Sequence, residues 1–554
     1  MAFSTHVDNP LRARQRAIVP VRPAKDNFSR TQIIRKAVIP TRGGVVAAAH
    51  RRAAEVGASV PDAGGDAADA AVAVSFAIGV VEPWMSGPAG GGAMVLWRAA
   101  DGRARVVDYG MRSPMGLDPA DYPLTGDARD KDLFAWPAVV GDRNVQGATA
   151  VAVPGVVSGM ALAHDEYGRL PWRDLLAPAV RLAQEGLLVD WFSTLLTASV
   201  ARSLAVDPDA ARMFLDDGTW PVSSGWTAIC DRHLDQSVMA VTLDRLARHG
   251  PREFYEGEVA RALVRDLRAK GSAMTEVDLA GYQARIADAQ AVPYRDGRIL
   301  VAPGLTGGPT LAQALGILAT ELTPARGTPG PASYVAYARA LDQAFNARFA
   351  GMGDAAGFAE AAQAPSCTTH FSIVDAQGNM CSVTQTLLSI FGSRVVSPST
   401  GLLMNNGIMW FDPEPGRPNS LGPGKRCLGN FCPVIGEDDD GRRFALGASG
   451  GRKIIGAVLQ IISFMIDHGL TLEEAFHQQR IDVSGGGKAT ADRTLPQQVI
   501  DALAATFPTT TALRANFPYA FACPVAVLRD GELNMGCTEI MSPWGDAVPE
   551  ERSR

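Results

Sequence analysis

The stretch "CTTHFSIVDAQGNMCSVTQT", residues 367–386, decides the fold of this chain. Apolar side chains alternate with small or polar ones over residues 371–375 and again over 380–383, on either side of "AQGN". This alternation predicts two strands joined by a tight turn. Thr368 and Thr369 open the first strand directly after "GFAEAAQAPS", a small-residue run that predicts an exposed loop.

The paired threonines have two interpretations. Threonine is favoured in strands, so "TTH" can be an ordinary strand start, and the spacing alone favours this structural role. A threonine hydroxyl becomes a nucleophile, however, when a base lies beside it, and the α-amine of an amino-terminal threonine can be that base. This second role requires the chain to be cut just before Thr368 or Thr369.

A second candidate nucleophile is Ser449 in "GASGG", residues 447–451, which fits the pattern G-x-S-x-G. A strand-like "RRFAL" precedes it and a helix-like "KIIGAVLQIISFMI" follows it, as in an α/β-hydrolase. Such an enzyme needs an acid and then a histidine downstream, and the last histidine, His477, lies only 28 positions beyond Ser449. The pattern also arises easily in a chain with 57 glycines, so it is weak evidence.

Composition excludes several classes of protein. A formal net charge of −6 leaves no basic excess for nucleic acid or an anionic membrane surface. The 7 cysteines have no CxxC spacing and the 8 histidines form no HExxH motif, so we expect no disulfide framework, no metal and no cofactor. The amino terminus lacks the apolar core of a secretory signal and no later segment resembles a membrane span, which predicts a cytoplasmic location.

Residues 1–42, rich in Arg and Pro, are predicted to form an extended arm. Beyond them helical and strand-like segments alternate without a long linker, which favours one large layered α/β domain. "DAADAAVAVSFAIGVVEPW" predicts a buried helix with Asp66 near its start as a cap. The glycine-rich "GPAGGGA" that follows precedes a strand rather than a helix and lacks GK[ST], so it predicts close backbone packing and not a phosphate loop.

Several motifs occur together in one order. "TTHFSIVDAQGNMCSVTQTL" is followed by "FGSRVV", "GLLMNNGIMWFDP", "GPGKR" and "GASGGRKII", and "GGDAADAAVAVSFAIGVVEPWMSGPAGGGAMVLWR" lies in the first half. From Gly43 onward the chain closely resembles the γ-glutamyltransferase family of amino-terminal nucleophile hydrolases. The resemblance implies an α/β (α+β) fold, a four-layer αββα sandwich, whose precursor cuts itself. The products would be a large subunit, residues 43–367, and a small subunit, residues 368–554, which together form one domain.

The resemblance also implies the catalytic groups. Thr368 would attack the carbonyl of Cys367 to cut the chain, and its freed α-amine would then act as the general base for its hydroxyl. Thr386 matches the second threonine of the family, which helps to hold the nucleophile. Gly450 and Gly451 match the pair whose backbone amides stabilise the tetrahedral oxyanion.

The sequence departs from the family where the substrate's α-amino group is bound. Members that use glutathione have Asn, Gln and Asp at places that here hold Leu388, Gly407 and Trp410. An indole in place of an acid removes the partner of an ammonium, and burying an unpaired ammonium costs several kcal/mol. We therefore expect γ-glutamyl amides to be poor substrates and Trp410 to contact a different acyl group.

The residues that would bind a carboxylate also differ. This chain has Gly110 where the family has an arginine, with Arg112 two positions on, and Gly429 and Asn430 where it has paired serines. Arg394 in "FGSRVV" stands where a glycine is usual. Arg112, Arg394 and Asn430 are therefore candidate ligands of a substrate carboxylate, although each arginine is equally well explained as a solvated surface charge.

These observations predict a self-processing threonine amidohydrolase that cleaves a small-molecule amide of a carboxylated acyl group. Its macromolecular partners would be its own two subunits, and a homo-oligomer is compatible with the sequence. Relatives with similar departures include acylases that remove glutaryl groups from cephalosporin amides. Two alternatives stay open: a genuine γ-glutamyltransferase or glutathione hydrolase, and an uncleaved, non-catalytic homologue that acts as a binding scaffold.

Overall fold

The computed structural model describes residues 34–129, 136–224, 231–353, 368–438, 440–515 and 517–550. One compact unit spans Lys36–Arg554. Most of the predicted arm, most of the predicted loop before Thr368, and Cys367 itself lie outside the described residues. No helix in the described ranges is long and apolar enough to cross a membrane.

The strands of the described chain are β1 (Val45–Ala48), β2 (Gly91–Arg98), β3 (Arg103–Tyr109), β4 (Leu124–Arg129), β5 (Pro137–Val139), β6 (Leu187–Leu188), β7 (Leu215–Asp216), β8 (Trp220–Pro221), β9 (His233–Leu234), β10 (Arg285–Asp288), β11 (Gln290–Tyr294), β12 (Gly297–Val301), β13 (Thr369–Val374), β14 (Met380–Thr386), β15 (Val396–Ser397), β16 (Leu402–Leu403), β17 (Val434–Glu437), β18 (Arg443–Ser449), β19 (Ile481–Asp482), β20 (Ala489–Asp492), β21 (Thr509–Ala512), β22 (Cys523–Asp530), β23 (Leu533–Thr538) and β24 (Asp546–Pro549). The predicted hairpin is thus confirmed as β13 and β14.

The α-helices are α1 (Arg51–Ala58), α2 (Ala67–Val81), α3 (Val156–Tyr167), α4 (Trp172–Glu185), α5 (Trp191–Leu204), α6 (Pro208–Phe214), α7 (Ser237–His249), α8 (Glu258–Ala269), α9 (Glu276–Ala280), α10 (Gly308–Glu321), α11 (Pro331–Gly351), α12 (Lys453–Ile466), α13 (Leu472–His477) and α14 (Gln497–Ala504). Short 3₁₀-helices cover Pro61–Ala63, Pro119–Asp121, Val140–Asp142, Ala148–Ala150, Pro251–Phe254 and Gly407–Trp410.

Two antiparallel sheets form the centre of the molecule. The first has the order β10-β3-β2-β14-β13-β1-β24, and the second has the order β11-β12-β17-β18-β22-β23. Along β1, Val46 and Ala48 pack into the cluster that joins the first sheet to its helices, whereas Val45 packs between the sheets. In the same way Ile299 of β12 faces the helices of the second sheet and Leu300 faces the first sheet. Each sheet is therefore covered by helices on one face and by the other sheet on its opposite face, which is the predicted αββα sandwich.

Helix α2 is buried at every residue, because it lies within the layer that covers the first sheet. Asp66 caps it as predicted, accepting a hydrogen bond from Ala68 N at 2.9 Å, while the side chain of Asp69 accepts one from Asp66 N at 3.1 Å. Arg98 Nη1 lies 2.9 Å from the buried carboxylate of Asp66 and compensates its charge. The cap thereby ties α2 to the end of β2.

The glycine-rich segment before β2 packs backbone against backbone, as expected. Strand β2 pairs with β14 so that Gly91 lies opposite Thr386. A Cβ atom at Gly90 would overlap the carbonyl oxygen of Thr386, and one at Gly92 would overlap that of Thr384. Glycine is therefore required here because the chain passes too close to β14 for any side chain.

Candidate active site

The register of the central hairpin places the two predicted catalytic threonines together. Thr369 pairs with Gln385 in the antiparallel ladder, so the preceding residue, Thr368, lies opposite Thr386. Both threonines are buried, with exposed fractions of 6% and 1%. Thr386 Oγ1 accepts a hydrogen bond from Leu388 N at 2.8 Å, which orients its hydroxyl group at the end of the strand.

The even-numbered side chains of the hairpin form a polar row that faces the second sheet. His370 Nδ1 lies 2.8 Å from Thr384 Oγ1 and its Nε2 lies 3.0 Å from Ser372 Oγ. Burial lowers the pKa of His370 to about 3, so its imidazole is neutral near pH 7. Because both ring nitrogens are engaged with hydroxyl groups, His370 joins the strands rather than serving Thr368 as a base.

Two contacts join this polar row to β18 of the second sheet. Ser382 Oγ donates to Leu446 O at 2.9 Å, and a Cβ atom at Gly447 would overlap the ring of His370. From these contacts β14 continues to Thr386, and β18 continues to Ser449 and the Gly450–Gly451 turn.

The turn at Gly450 and Gly451, the predicted oxyanion donors, has a backbone conformation that favours glycine. Their φ angles are +130° and +57°, a region that disfavours other residues, and the turn leads directly into α12. In the part of the chain that the structure describes, neither amide donates to a protein acceptor. The turn lies at the amino-terminal end of α12, which carries partial positive charge, so its surroundings favour a negative charge.

Ser449 lacks the partners of an α/β-hydrolase nucleophile. Its Oγ donates to the backbone carbonyl of Cys523 at 3.5 Å. His477 contacts Glu473 O at 2.7 Å through Nδ1 and accepts from Lys36 N through Nε2, so it does not serve Ser449. The strand–turn–helix arrangement expected of an α/β-hydrolase is present. It positions the Gly450–Gly451 turn rather than a nucleophilic serine with its partners.

On the opposite face of the hairpin lies a buried carboxyl group that the sequence analysis missed. Thr369 Oγ1 donates to Glu82 Oε2 at 2.9 Å, and Glu82 is only 5% exposed. Burial raises the pKa of Glu82 to about 7. The sequence feature that could have indicated this group is the acidic residue in "VVEPW", at the end of an apolar segment predicted to be a buried helix.

The three positions at which the sequence departs from the family have apolar surroundings. Leu388 is buried at a φ of +89°, and a Cβ atom at Gly407 would lie 2.8 Å from Ala152 Cβ and leave no room for a longer side chain. Trp410 is 2% exposed and packs edge-on against Phe431, with ring centroids 4.9 Å apart. None of these three positions offers a carboxylate to an ammonium group.

The remaining candidate residues have different surroundings. Arg112 donates through Nη2 to Asp278 O at 3.1 Å and its guanidinium lies 6.0 Å from the ring of Tyr282, which engages it with other parts of the protein. Arg394 is half-buried at a φ of +60°. Asn430 is buried and its Oδ1 accepts from Arg348 Nη2 at 3.2 Å. Among the described residues no group of three or more His, Cys, Asp or Glu could hold a metal ion.

Comparison with known proteins places these features in one family. The sequence model of gamma-glutamyltranspeptidase matches residues 53–364 and 356–536. The Acylase ACY 1 proenzyme of Pseudomonas sp. (strain V22) is 34% identical over 495 residues, which cover 83% of this chain and 86% of that protein. The glutathione hydrolase proenzyme of Pseudomonas aeruginosa is 32% identical over 483 residues, covering 79% and 82%.

Solved structures agree on the fold. The crystal structure of a cephalosporin acylase from Bacillus halodurans superimposes with a TM-score of 0.79 at 24% identity, covering 93% of this chain and 97% of that one. At this level of identity the likeness concerns the fold alone. Together with the sequence matches over most of the chain, it leads to one assignment: this protein belongs to the gamma-glutamyltranspeptidase family.

Proposed function

We propose that this protein is a self-processing threonine amidohydrolase that releases a small carboxylated acyl group from an amide through an ester on Thr368. The observation that carries the proposal is the register that sets Thr368 opposite Thr386, in a hairpin that contacts β18, the strand before the Gly450–Gly451 turn. A hydroxyl nucleophile, a second hydroxyl to hold it and a pair of oxyanion donors are the parts that amide cleavage requires.

Processing would begin with attack of Thr368 Oγ on the carbonyl carbon of Cys367. The C–N bond breaks as the C–O bond forms, and the hydroxyl proton ends on the nitrogen of Thr368. Water then hydrolyses the ester, leaving a carboxylate on Cys367 and a free amine on Thr368. The names of the two Pseudomonas relatives, both proenzymes, support such a step.

In each turnover the free α-amine of Thr368 takes the proton of Oγ as it attacks the substrate and passes it to the leaving amine. The amides of Gly450 and Gly451 stabilise the tetrahedral anion, with each donor typically worth ~3 kcal/mol of barrier. Water then hydrolyses the acyl ester on Thr368, with the same α-amine as general base and the same two amides as oxyanion donors. Thr386 keeps the nucleophile in place throughout.

The apolar surroundings of Leu388, Gly407 and Trp410 support an acyl group without an ammonium. A γ-glutamyl substrate would bury its α-ammonium without a carboxylate partner at these positions, which costs several kcal/mol. The similarity to an acylase of Pseudomonas points in the same direction. The comparable similarity to glutathione hydrolases keeps γ-glutamyl transfer or hydrolysis as the second candidate.

Comparing the hydrolysis of glutaryl-p-nitroanilide with that of γ-glutamyl-p-nitroanilide tests the specificity. The two compounds differ only in the α-ammonium, so we expect kcat/KM to favour the glutaryl compound by about 100-fold, which corresponds to roughly 3 kcal/mol. Faster cleavage of the γ-glutamyl compound would make the second candidate the correct one.

Denaturing electrophoresis with amino-terminal sequencing tests the processing. The wild-type chain should give two bands, one of which begins at Thr368, and Thr368→Ala should stay as one chain of 58.5 kDa. Ser449→Ala is the matched control and should still be processed, because among the described residues the hydrogen bonds of Ser449 Oγ are with Cys523. A persistent single band in the wild type would instead support a non-catalytic scaffold.

A further inference from the structure

We propose that Glu82 and Gln385 are positioning residues that hold the two predicted catalytic threonines in place. Glu82 is hydrogen-bonded to Thr369, which directly follows Thr368 in the chain. Gln385 directly precedes Thr386. This inference rests on the proposed function, and it specifies what keeps the proposed nucleophile and its neighbouring hydroxyl aligned.

The positioning contacts lie on the face of the hairpin opposite to the catalytic threonines. Successive side chains of a strand point to opposite faces of the sheet. The even-numbered side chains face the second sheet, whereas Thr369 and Gln385 face the helix layer that contains α2. These two residues are paired in the ladder, and both are fully buried. One network on this face can therefore act on the ends of both strands.

The first contact ties β13 to the end of α2. Glu82 is the C-cap residue of α2, and its backbone N–H still donates to Ile78 O at 2.8 Å, so the helix fixes its position. Its carboxyl group accepts the hydrogen bond of Thr369 Oγ1 at 2.9 Å. Burial raises the pKa of Glu82 to about 7 and the hydrogen bond from Thr369 lowers it, so the two side chains are energetically coupled.

The second contact ties β14 to the middle of α2. Gln385 Oε1 accepts from Ser75 Oγ at 2.7 Å, and its Nε2 donates to Ser86 Oγ at 3.0 Å and to Ser75 O at 3.2 Å. Ser75 is the only polar side chain of α2 between Ala70 and Val81. Burying a hydroxyl group is costly unless it is hydrogen-bonded, and Gln385 provides that bond. Both ends of the Gln385 amide are thereby fixed.

A backbone contact completes the attachment on the other side of Thr386. Leu387 N donates to Met85 O at 2.9 Å. The segment that follows α2 therefore holds the residue before Thr386 through Ser86 and the residue after it through Met85. Because peptide units are planar and stiff, fixing both neighbours leaves Thr386 little freedom to move.

A positioning role and a purely structural role have different kinetic consequences. A buried polar network stabilises the fold wherever it lies. Alignment of reacting groups is more demanding, since a misplacement of about 1 Å can cost roughly 10²-fold in rate. Loss of a positioning contact should therefore lower kcat with little change in KM, whereas loss of a structural contact should lower stability alone.

The main test is Thr369→Val, which removes the hydroxyl donor and keeps a side chain of similar shape. For the processed fraction, kcat on the faster-cleaved of the two anilides should fall at least ~10-fold, with KM within ~2-fold of the wild type. The matched control is Thr242→Val on α7, because Thr242 is also buried and its Oγ1 donates to Thr400 O at 2.8 Å. Both variants should lose similar stability in urea. Equal kcat values in the two variants would overturn the proposal.

A double-mutant cycle tests whether Glu82 acts through Thr369. Glu82→Gln keeps an acceptor and should retain kcat within ~3-fold, whereas Glu82→Leu should reduce kcat as much as Thr369→Val does. Combining Glu82→Leu with Thr369→Val should cost no more than either change alone, since both remove the same hydrogen bond. Additive losses would show that Glu82 acts independently of Thr369 and would overturn its assigned role.

Ser75→Ala decides the matter if Thr369→Val fails to fold. It removes the donor to Gln385, and alanine favours the helix, so the fold should be kept. We expect kcat to fall ~3–10-fold and hydrogen exchange to accelerate at the backbone amides of residues 385–387. Unchanged kcat with unchanged exchange would overturn the proposal. Faster exchange in a protein that is neither processed nor active on either anilide would contradict the proposed function and leave the positioning network standing.

Discussion

Glu82 is a buried titratable residue that is hydrogen-bonded to the strand beginning directly after Thr368. It accepts a hydrogen bond from Thr369, the direct neighbour of Thr368, and it is buried between α2 and β13. Because burial raises its pKa from 4.5 to about 7, the folded protein binds a proton here that the unfolded chain has already lost. The contribution of Glu82 to stability is therefore full below pH ~4.5 and is lost as the pH rises towards 7.

Replacing Glu82 by glutamine should reduce the dependence of protein stability on pH. Glutamine keeps an acceptor for Thr369 and carries no charge, so the variant should gain stability relative to the wild type by roughly 3 kcal/mol between pH 4.5 and pH 8. Melting temperatures measured across this range would report the gain, with the exposed Glu532→Gln as the control. Parallel curves for Glu82→Gln and the wild type would exclude Glu82 as the titrating group.

Some features of the candidate site can be predicted from the sequence, and others cannot. The hairpin that sets Thr368 opposite Thr386 could be predicted because its strand alternation and its turn are local in the chain. Glu82 could not, because its partner, Thr369, is 287 positions away and only the folded chain brings them together. The same holds for Arg112, whose guanidinium meets the carbonyl of Asp278 on a distant helix.

At the scale of elements, the contact between β2 and β14 controls the position of Thr386. A Cβ atom at Gly90 would overlap the carbonyl oxygen of Thr386, and backbone atoms cannot move aside as a flexible side chain can. Gly90→Ala should therefore cost ~1–3 kcal/mol and reduce kcat, because the end of β14 must shift.

A second glycine provides the control for this substitution. Gly316 lies on the exposed side of α10, and a Cβ atom there meets nothing within 4 Å. Gly316→Ala should stabilise the protein by up to ~1 kcal/mol through helix propensity and leave kcat unchanged. Urea unfolding and steady-state kinetics on both variants would test the pair; wild-type kcat in Gly90→Ala would show that β2 does not position Thr386.

At the scale of the whole molecule, strands from before and after Thr368 alternate within one sheet. β1 comes from the first part of the chain and lies between β13 and β24 from the last part, while β14 pairs with β2. The four layers were expected from the family resemblance, and the succession of helical and strand-like segments favoured a layered α/β domain. The sequence did not reveal this strand order, which depends on pairings between residues hundreds of positions apart.

This strand order predicts that the two fragments of the proposed cut before Thr368 would stay together. Separating them would break the backbone ladders on both sides of the β13–β14 hairpin and expose the apolar faces of both sheets. Gel filtration of the processed protein should therefore give one species containing both fragments, which separate only in denaturant. Fragments that elute apart without denaturant would contradict this assembly.

The position of β1 has a further consequence for the timing of maturation. Val45 lies opposite Val374 on one side and Pro549 on the other, so the sheet around Thr368 is complete only when the two ends of the chain have met. Pairings this distant in sequence form late and slowly. A cut made by Thr368 would then occur only in molecules in which β1 has already paired with β13 and β24. Cleavage would therefore report that the first sheet is complete.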